Sequence, residues 1–213
     1  MFVQPPKLVI FDWDGTLMDS VGQIVESLLA AAAQYEIDLT ADAAANIIGL
    51  GLPEAMTVLF PQHPHLHTAL QAAYAAHYVP RSQQTRLFEG VEALLKQLQQ
   101  QDILLAVATG KSRAGLDRVL ANSGIAAHFS VTRCASETRS KPHPQMLQEI
   151  LAVTGVAAAD AVMVGDTSYD LEMAQRIAMP RIGVSYGVHS AARLQQYQPV
   201  AVVGDVAELS QLF

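Results

Sequence analysis

From Gly90 onward the chain alternates short apolar runs with helical stretches, and this alternation restricts the fold more than any other feature. Helical periodicity over Val91–Gln100 leads to an apolar run at Ile103–Ala108. Helix Arg113–Asn122, a short strand near Phe129–Thr132 and helix Pro144–Val153 follow. Strand Ala161–Val164, a helix from about Tyr169 to Ile177 and strand Arg181–Val184 come next, and a last strand, Val200–Val203, precedes a short helix near Val206–Leu212. Strands alternating with helices predict an α/β fold with a doubly wound, Rossmann-like parallel sheet. One further apolar run, Leu8–Phe11, lies far upstream and reads as the first strand of the same sheet. The chain between must then be an insertion. Its patterns are helical throughout: Val21, Ile24, Val25, Leu28 and Leu29 fall on one stripe between Leu17 and about Glu36. Further helices are predicted over Asp38–Ile48, Pro53–Phe60 and His65–Val79, the last ended by Pro80. We expect residues 1–19 and 87–213 to form the α/β core and residues 20–86 an all-helical cap.

Several predicted core strands end in groups that could face an anion. Leu8–Phe11 runs straight into Asp12-Trp13-Asp14-Gly15. Side chains alternate along a strand, so Asp12 and Asp14 can share a side, and Gly15 lets the chain turn. Two carboxylates ~4 Å apart repel by about 4 kcal/mol at an effective dielectric of ~20. A cation, a shared proton or both must offset that, and Mg²⁺ suits an all-oxygen site that keeps waters for a substrate to displace. The strand at Ile103–Ala108 ends in Thr109-Gly110-Lys111-Ser112, where a hydroxyl and helix-opening amides can cradle phosphate oxygens. Lys141 is pinned between Ser140 and Pro142 before a helix. Asp166 and Asp170 follow the strand at Ala161–Val164, with spacing that puts them on one helix face. Within the insertion, Gly49-Leu50-Gly51-Leu52-Pro53 breaks the helical pattern.

The nine residues Asp12-Trp13-Asp14-Gly15-Thr16-Leu17-Met18-Asp19-Ser20 resemble the first motif of the haloacid dehalogenase-like hydrolase superfamily. Thr109, Lys141 within Lys-Pro-His-Pro, and Gly165-Asp166-x-x-x-Asp170 resemble its second, third and fourth, in order. The chain is most similar to the phosphoglycolate-phosphatase-like branch with a helical cap. The resemblance implies a Mg²⁺-dependent phosphatase acting on a small-molecule phosphomonoester, phosphoglycolate or a sugar phosphate. Asp12 would attack phosphorus to give an aspartyl-phosphate. Asp14, protonated, would serve the leaving alcohol and then the attacking water. Thr109, Gly110 and Lys141 would bind the phosphoryl group, and the Gly49-Leu50-Gly51 loop would select the substrate. Mg²⁺ would be held by Asp12, Asp166 and the Asp14 backbone carbonyl, with Asp170 behind them through water or through Lys141. A phosphotransferase, a phosphomutase and a pyrophosphatase are the alternatives within the superfamily. Between Lys7 and Lys96 the only basic residues besides histidine are Arg81 and Arg86. That excludes a Schiff-base lysine on the cap and disfavours a mutase.

Composition narrows the partners. A net charge of −7 without a basic run argues against nucleic acid. No apolar run approaches the ~18 residues that cross a bilayer, and no signal peptide is legible, so we expect no membrane partner and a cytoplasmic protein. The single cysteine, Cys134, fits a reducing compartment and reads as a buried hydrophobe. His63, His65 and His67 read as a polar loop between cap helices. Oligomeric state leaves no signal in the sequence.

Overall fold

In the computed structural model, which describes residues 4–213, six strands form one parallel sheet. They are β1 (Leu8–Phe11), β2 (Leu104–Thr109), β3 (Val131–Cys134), β4 (Ala161–Gly165), β5 (Arg181–Val184) and β6 (Ala201–Val203). Their order, β3-β2-β1-β4-β5-β6, reverses direction at β1. The sheet is doubly wound, as the alternation predicts, and the crevice at the reversal lies beyond the tips of β1, β2 and β4. Register is direct: Phe11 pairs with Val107 on one side and with Val164 on the other.

Burial on both faces explains the continuous apolar runs. Val9 and Phe11 of β1 join Leu105, Val107, Val162 and Val164 in one core. Leu8 and Ile10 join Ala106, Ala108, Ala161 and Met163 in the other. Around the sheet lie α5 (Val91–Gln100), α6 (Arg113–Ser123), α7 (Gln145–Thr154), α8 (Ser168–Gln175), α9 (Ala191–Gln195) and α10 (Val206–Ser210). β3 starts two residues later than predicted, because pairing with β2 matches Ala106 to Val131. The short helix α9, capped by the Ser190 hydroxyl, was not anticipated; five residues leave little periodicity to read.

Between β1 and α5 stand α1 (Val21–Gln34), α2 (Ala41–Asn46), α3 (Leu52–Leu59) and α4 (His67–Arg81). They share their own apolar cluster, with Leu28, Ala44, Met56 and Leu70 buried at its centre. Pro80 does not end α4 as expected. The helix runs on to Arg81, where the Arg81 guanidinium and the Ser82 hydroxyl donate to the carbonyls of His77 and Val79. Side chains thus supply the partners a helix end requires. The chain leaves and re-enters the core at adjacent points. The Asp19 amide donates to the Arg86 carbonyl at 3.0 Å, and the Phe88 amide donates to Leu17 at 3.0 Å.

Candidate active site

Asp12 follows β1 and Asp166 follows β4, its paired neighbour, so the parallel register carries both carboxylates to the same edge of the sheet. With Asp170 they form a group whose ligand oxygens lie within 4.8 Å of one another. All are buried, and Asp12 is only 1% exposed. Glycines create this proximity. A Cβ on Gly15 would lie 2.2 Å from an Asp166 carboxylate oxygen, and one on Gly187 would lie 2.3 Å from it.

Each carboxylate has a distinct set of partners. Lys141 Nζ lies 2.7 Å from Asp12 Oδ1 and 2.6 Å from Asp170 Oδ1, and its ammonium is shut off from water. Asp170 also accepts from the Thr167 amide and hydroxyl through its other oxygen, closing the capping box of α8. Both Asp170 oxygens are thereby engaged, and its placement is that of a holder of Lys141. Asp166 accepts from the Thr16 hydroxyl at 3.0 Å and from the Val188 amide at 2.8 Å. Neither Asp12 oxygen has a hydrogen-bond partner; the ion pair with Lys141 is its one polar engagement.

The electrostatics follow from burial. Desolvation raises the Asp12 carboxyl well above its ordinary range, opposed by Lys141 and reinforced by Asp170 and Asp166. Desolvation, then the Asp170 charge, pushes Asp166 up to about 7. Burial alone would lower the Lys141 pKa, but the Asp12 and Asp170 charges outweigh it and raise it. With all three carboxylates ionised, the one ammonium leaves the cluster two negative charges in excess. A hard divalent cation matches both that deficit and the unpartnered Asp12 oxygens.

Asp14 is not part of the carboxylate group, so its expected place at a metal rests on its backbone carbonyl. Its side chain accepts from the Ser20 hydroxyl at 2.6 Å and pairs with Lys111 Nζ at 2.9 Å. The expectation of a protonated Asp14 therefore meets an ion pair instead. Lys111 also donates to the Tyr78 hydroxyl at 3.0 Å, linking the core loop to α4. In the sequence, Lys111 is marked only by its position two residues past Thr109.

Thr109 ends β2, fully buried, its hydroxyl accepting from the Lys111 amide at 3.2 Å. Gly110 lies directly under the cap loop. A Cβ there would sit 2.5 Å from the Leu50 carbonyl oxygen and 2.6 Å from that of Gly49. Gly51 donates through its amide to the Ser140 hydroxyl at 2.8 Å, one residue from Lys141. The Gly49-Leu50-Gly51 loop thus rests on the loops that carry Thr109 and Lys141. Among the described residues, His63, His65 and His67 form no metal-ligand group with other His, Cys or acidic side chains. His67 Nε2 instead meets the Phe60 carbonyl at 2.9 Å.

Residues 9–184 match the family model described as haloacid dehalogenase-like hydrolase. The chain is 33% identical to the probable phosphatase IndB of Dickeya dadantii, over 95% of this chain and 91% of that protein. It is also 33% identical to the tyrosine-protein kinase PtkA of Mycobacterium tuberculosis, over 86% of this chain but 64% of PtkA. Identity to the phosphoglycolate phosphatase of Vibrio parahaemolyticus is 27%, over 100% and 98% of the two chains. The fold recurs in the crystal structure of a predicted phosphatase from Clostridium acetobutylicum, with a TM-score of 0.88, 24% identity and 98% of each chain covered.

Proposed function

The chain belongs to the haloacid dehalogenase-like hydrolase family, and we propose on that premise that it is a Mg²⁺-dependent phosphatase of small phosphomonoesters. The observation that carries this reading is the buried Asp12 carboxylate, unpartnered except by Lys141, beside Asp166 in a cluster short of two positive charges. Phosphatase and phosphoglycolate phosphatase relatives support the reaction class. Residues 20–86 serve as the cap. With Asp12, Thr109, Lys141 and Asp166 all nearly inaccessible, the cap must open to admit substrate and close to exclude water.

Asp12 attacks phosphorus and becomes the aspartyl-phosphate. Lys141, held by Asp170, offsets charge on Asp12 and on the phosphoryl oxygens as it develops. The Thr109 hydroxyl and Gly110 amide hold the phosphoryl group at the tip of β2. Asp14 hands a proton to the leaving oxygen and recovers one from the water that hydrolyses the intermediate. Its pairing with Lys111 in this structure is the state that takes the proton; the donating state requires that pair to loosen as substrate enters. Asp12, Asp166 and the Asp14 backbone carbonyl would hold Mg²⁺, which when bound would supply charge neutralisation at the phosphoryl group.

The test is phosphate release from an aryl phosphate, with Mg²⁺ and after chelation. Metal-dependent release supports hydrolysis to water. The PtkA relative makes transfer to an acceptor the second reading. It would be favoured by label passing from the ester to a protein or alcohol acceptor without free phosphate appearing.

A further inference from the structure

A cavity of about 260 Å³ opens beside Asp14, between cap and core, and its lining does not suit a small hydrophilic leaving group. Because Asp14 serves the leaving oxygen, the space it faces is where the departing alcohol must sit. This rests on the phosphatase reading above. The cap contributes Ile24, Leu28 and Ile48, and with them Tyr74 and Tyr78, whose rings stack at 5.3 Å and 10°. Burial raises both phenol pKa values, so both rings are neutral. A two-carbon alcohol would leave most of this volume unfilled and its apolar walls uncovered.

The cavity's cations come from the core. Lys111 reaches it from the turn before α6, and Ala114, Gly115 and Arg118 from one face of α6, the two small residues leaving room between the charged ones. Lys111 is matched by Asp14, the single acidic residue in the lining. Arg118 has no such match. Its Nε, shut off from solvent, has no hydrogen-bond partner among the described residues. A guanidinium on the cavity wall with no acid opposite it offers a ligand carboxylate a charge-assisted partner. We propose that the physiological substrate is the phosphate ester of a largely apolar, ring-sized alcohol that carries a second anionic or strongly accepting group, a carboxylate above all, received by Arg118.

The experiment compares kcat/KM for phenyl phosphate, 4-carboxyphenyl phosphate and phosphoglycolate in the full chain and in Arg118→Gln and Arg118→Lys. One charge-assisted hydrogen bond predicts a preference of about tenfold for the carboxyphenyl over the phenyl ester. Arg118→Gln should collapse that ratio to about one, and Arg118→Lys should keep part of it. Phosphoglycolate should be the poorest of the three. Phosphoglycolate as the best substrate, or a ratio that Arg118→Gln leaves intact, overturns the proposal. If no ester is turned over, the phosphatase reading falls separately. The cavity is then read from calorimetric binding of 4-hydroxybenzoate, which should be present in the native chain and lost in Arg118→Gln; no binding to the native chain overturns the proposal.

Discussion

The residues that would do chemistry are costly to bury, and that cost can be measured. The ordinary Asp166 carboxyl titrates at 3.8, and burial with the Asp170 charge moves it to about 7. Between those values the native state holds a proton that the unfolded chain has released. Stability fully present below pH 3.8 is therefore lost as pH rises through about 7. Asp12 moves in the same direction. Thermal melts of chelated protein should show the midpoint falling between pH 5 and 8, and Mg²⁺ should restore more stability at pH 8 than at pH 5. A flat metal-free profile would contradict the assignment. Lys141 is the counterweight. Removing its ammonium in Lys141→Met leaves Asp12 and Asp170 buried without a partner and should cost about 3–5 kcal/mol, read by urea unfolding. Asp12→Asn removes the nucleophile while easing the charge crowding. Turnover should fall by about a thousandfold or more with the melting midpoint unchanged or higher, and near-normal turnover would refute the role.

At the scale of elements, the strands place the chemistry and the loops between helices enclose it. Gly110 shows how little clearance this leaves. Alanine there would put its Cβ against the Gly49 and Leu50 carbonyl oxygens, backbone atoms that cannot swing aside like a side chain. Gly110→Ala should therefore hold the Gly49–Gly51 loop off the core. Turnover should drop at least about tenfold with little change in circular dichroism, as expected when closure that positions the reactants fails. Unaltered kinetics would show that the loop does not need this approach. The helices of the insertion pack together as one unit, since α1 to α4 share a cluster of their own, distinct from the two cores of the sheet.

At the scale of the molecule, the insertion joins the core through two adjacent crossings and docks at sites far from them in sequence. The crossings are tied by the Asp19–Arg86 and Leu17–Phe88 backbone bonds. Docking involves the Tyr169 hydroxyl donating to the Asn46 carbonyl at 2.8 Å, and Arg193 donating to the Asn46 side chain and to the Ser168 hydroxyl. Arg193→Ala removes the two Arg193 contacts without touching the β1 tip. Amide exchange around Asn46 and Gly49 should then quicken, with β1 and β4 amides unaffected; unchanged exchange at the cap loop would show that the contact does not hold it closed.

Much of this was legible in the chain itself. A strand buried on both faces must be apolar at every position, so Leu8–Phe11 and Ala161–Val164 declare themselves, and the polar groups beyond them, Asp12 and Asp166, stand out. Elements whose ends depend on distant partners were read less well: β3 takes its register from β2, and α4 runs past Pro80 because side chains finish it. The charge around Asp14 is hidden in the sequence for a related reason. The insertion has almost no basic residues, and Lys111 and Arg118 supply the cations of this cavity from the core. Local composition can fix which segment is a buried strand, because burial acts on each residue where it stands. Which charges meet across a gap depends on how two separately packed units are set against each other, and only the folded chain decides that.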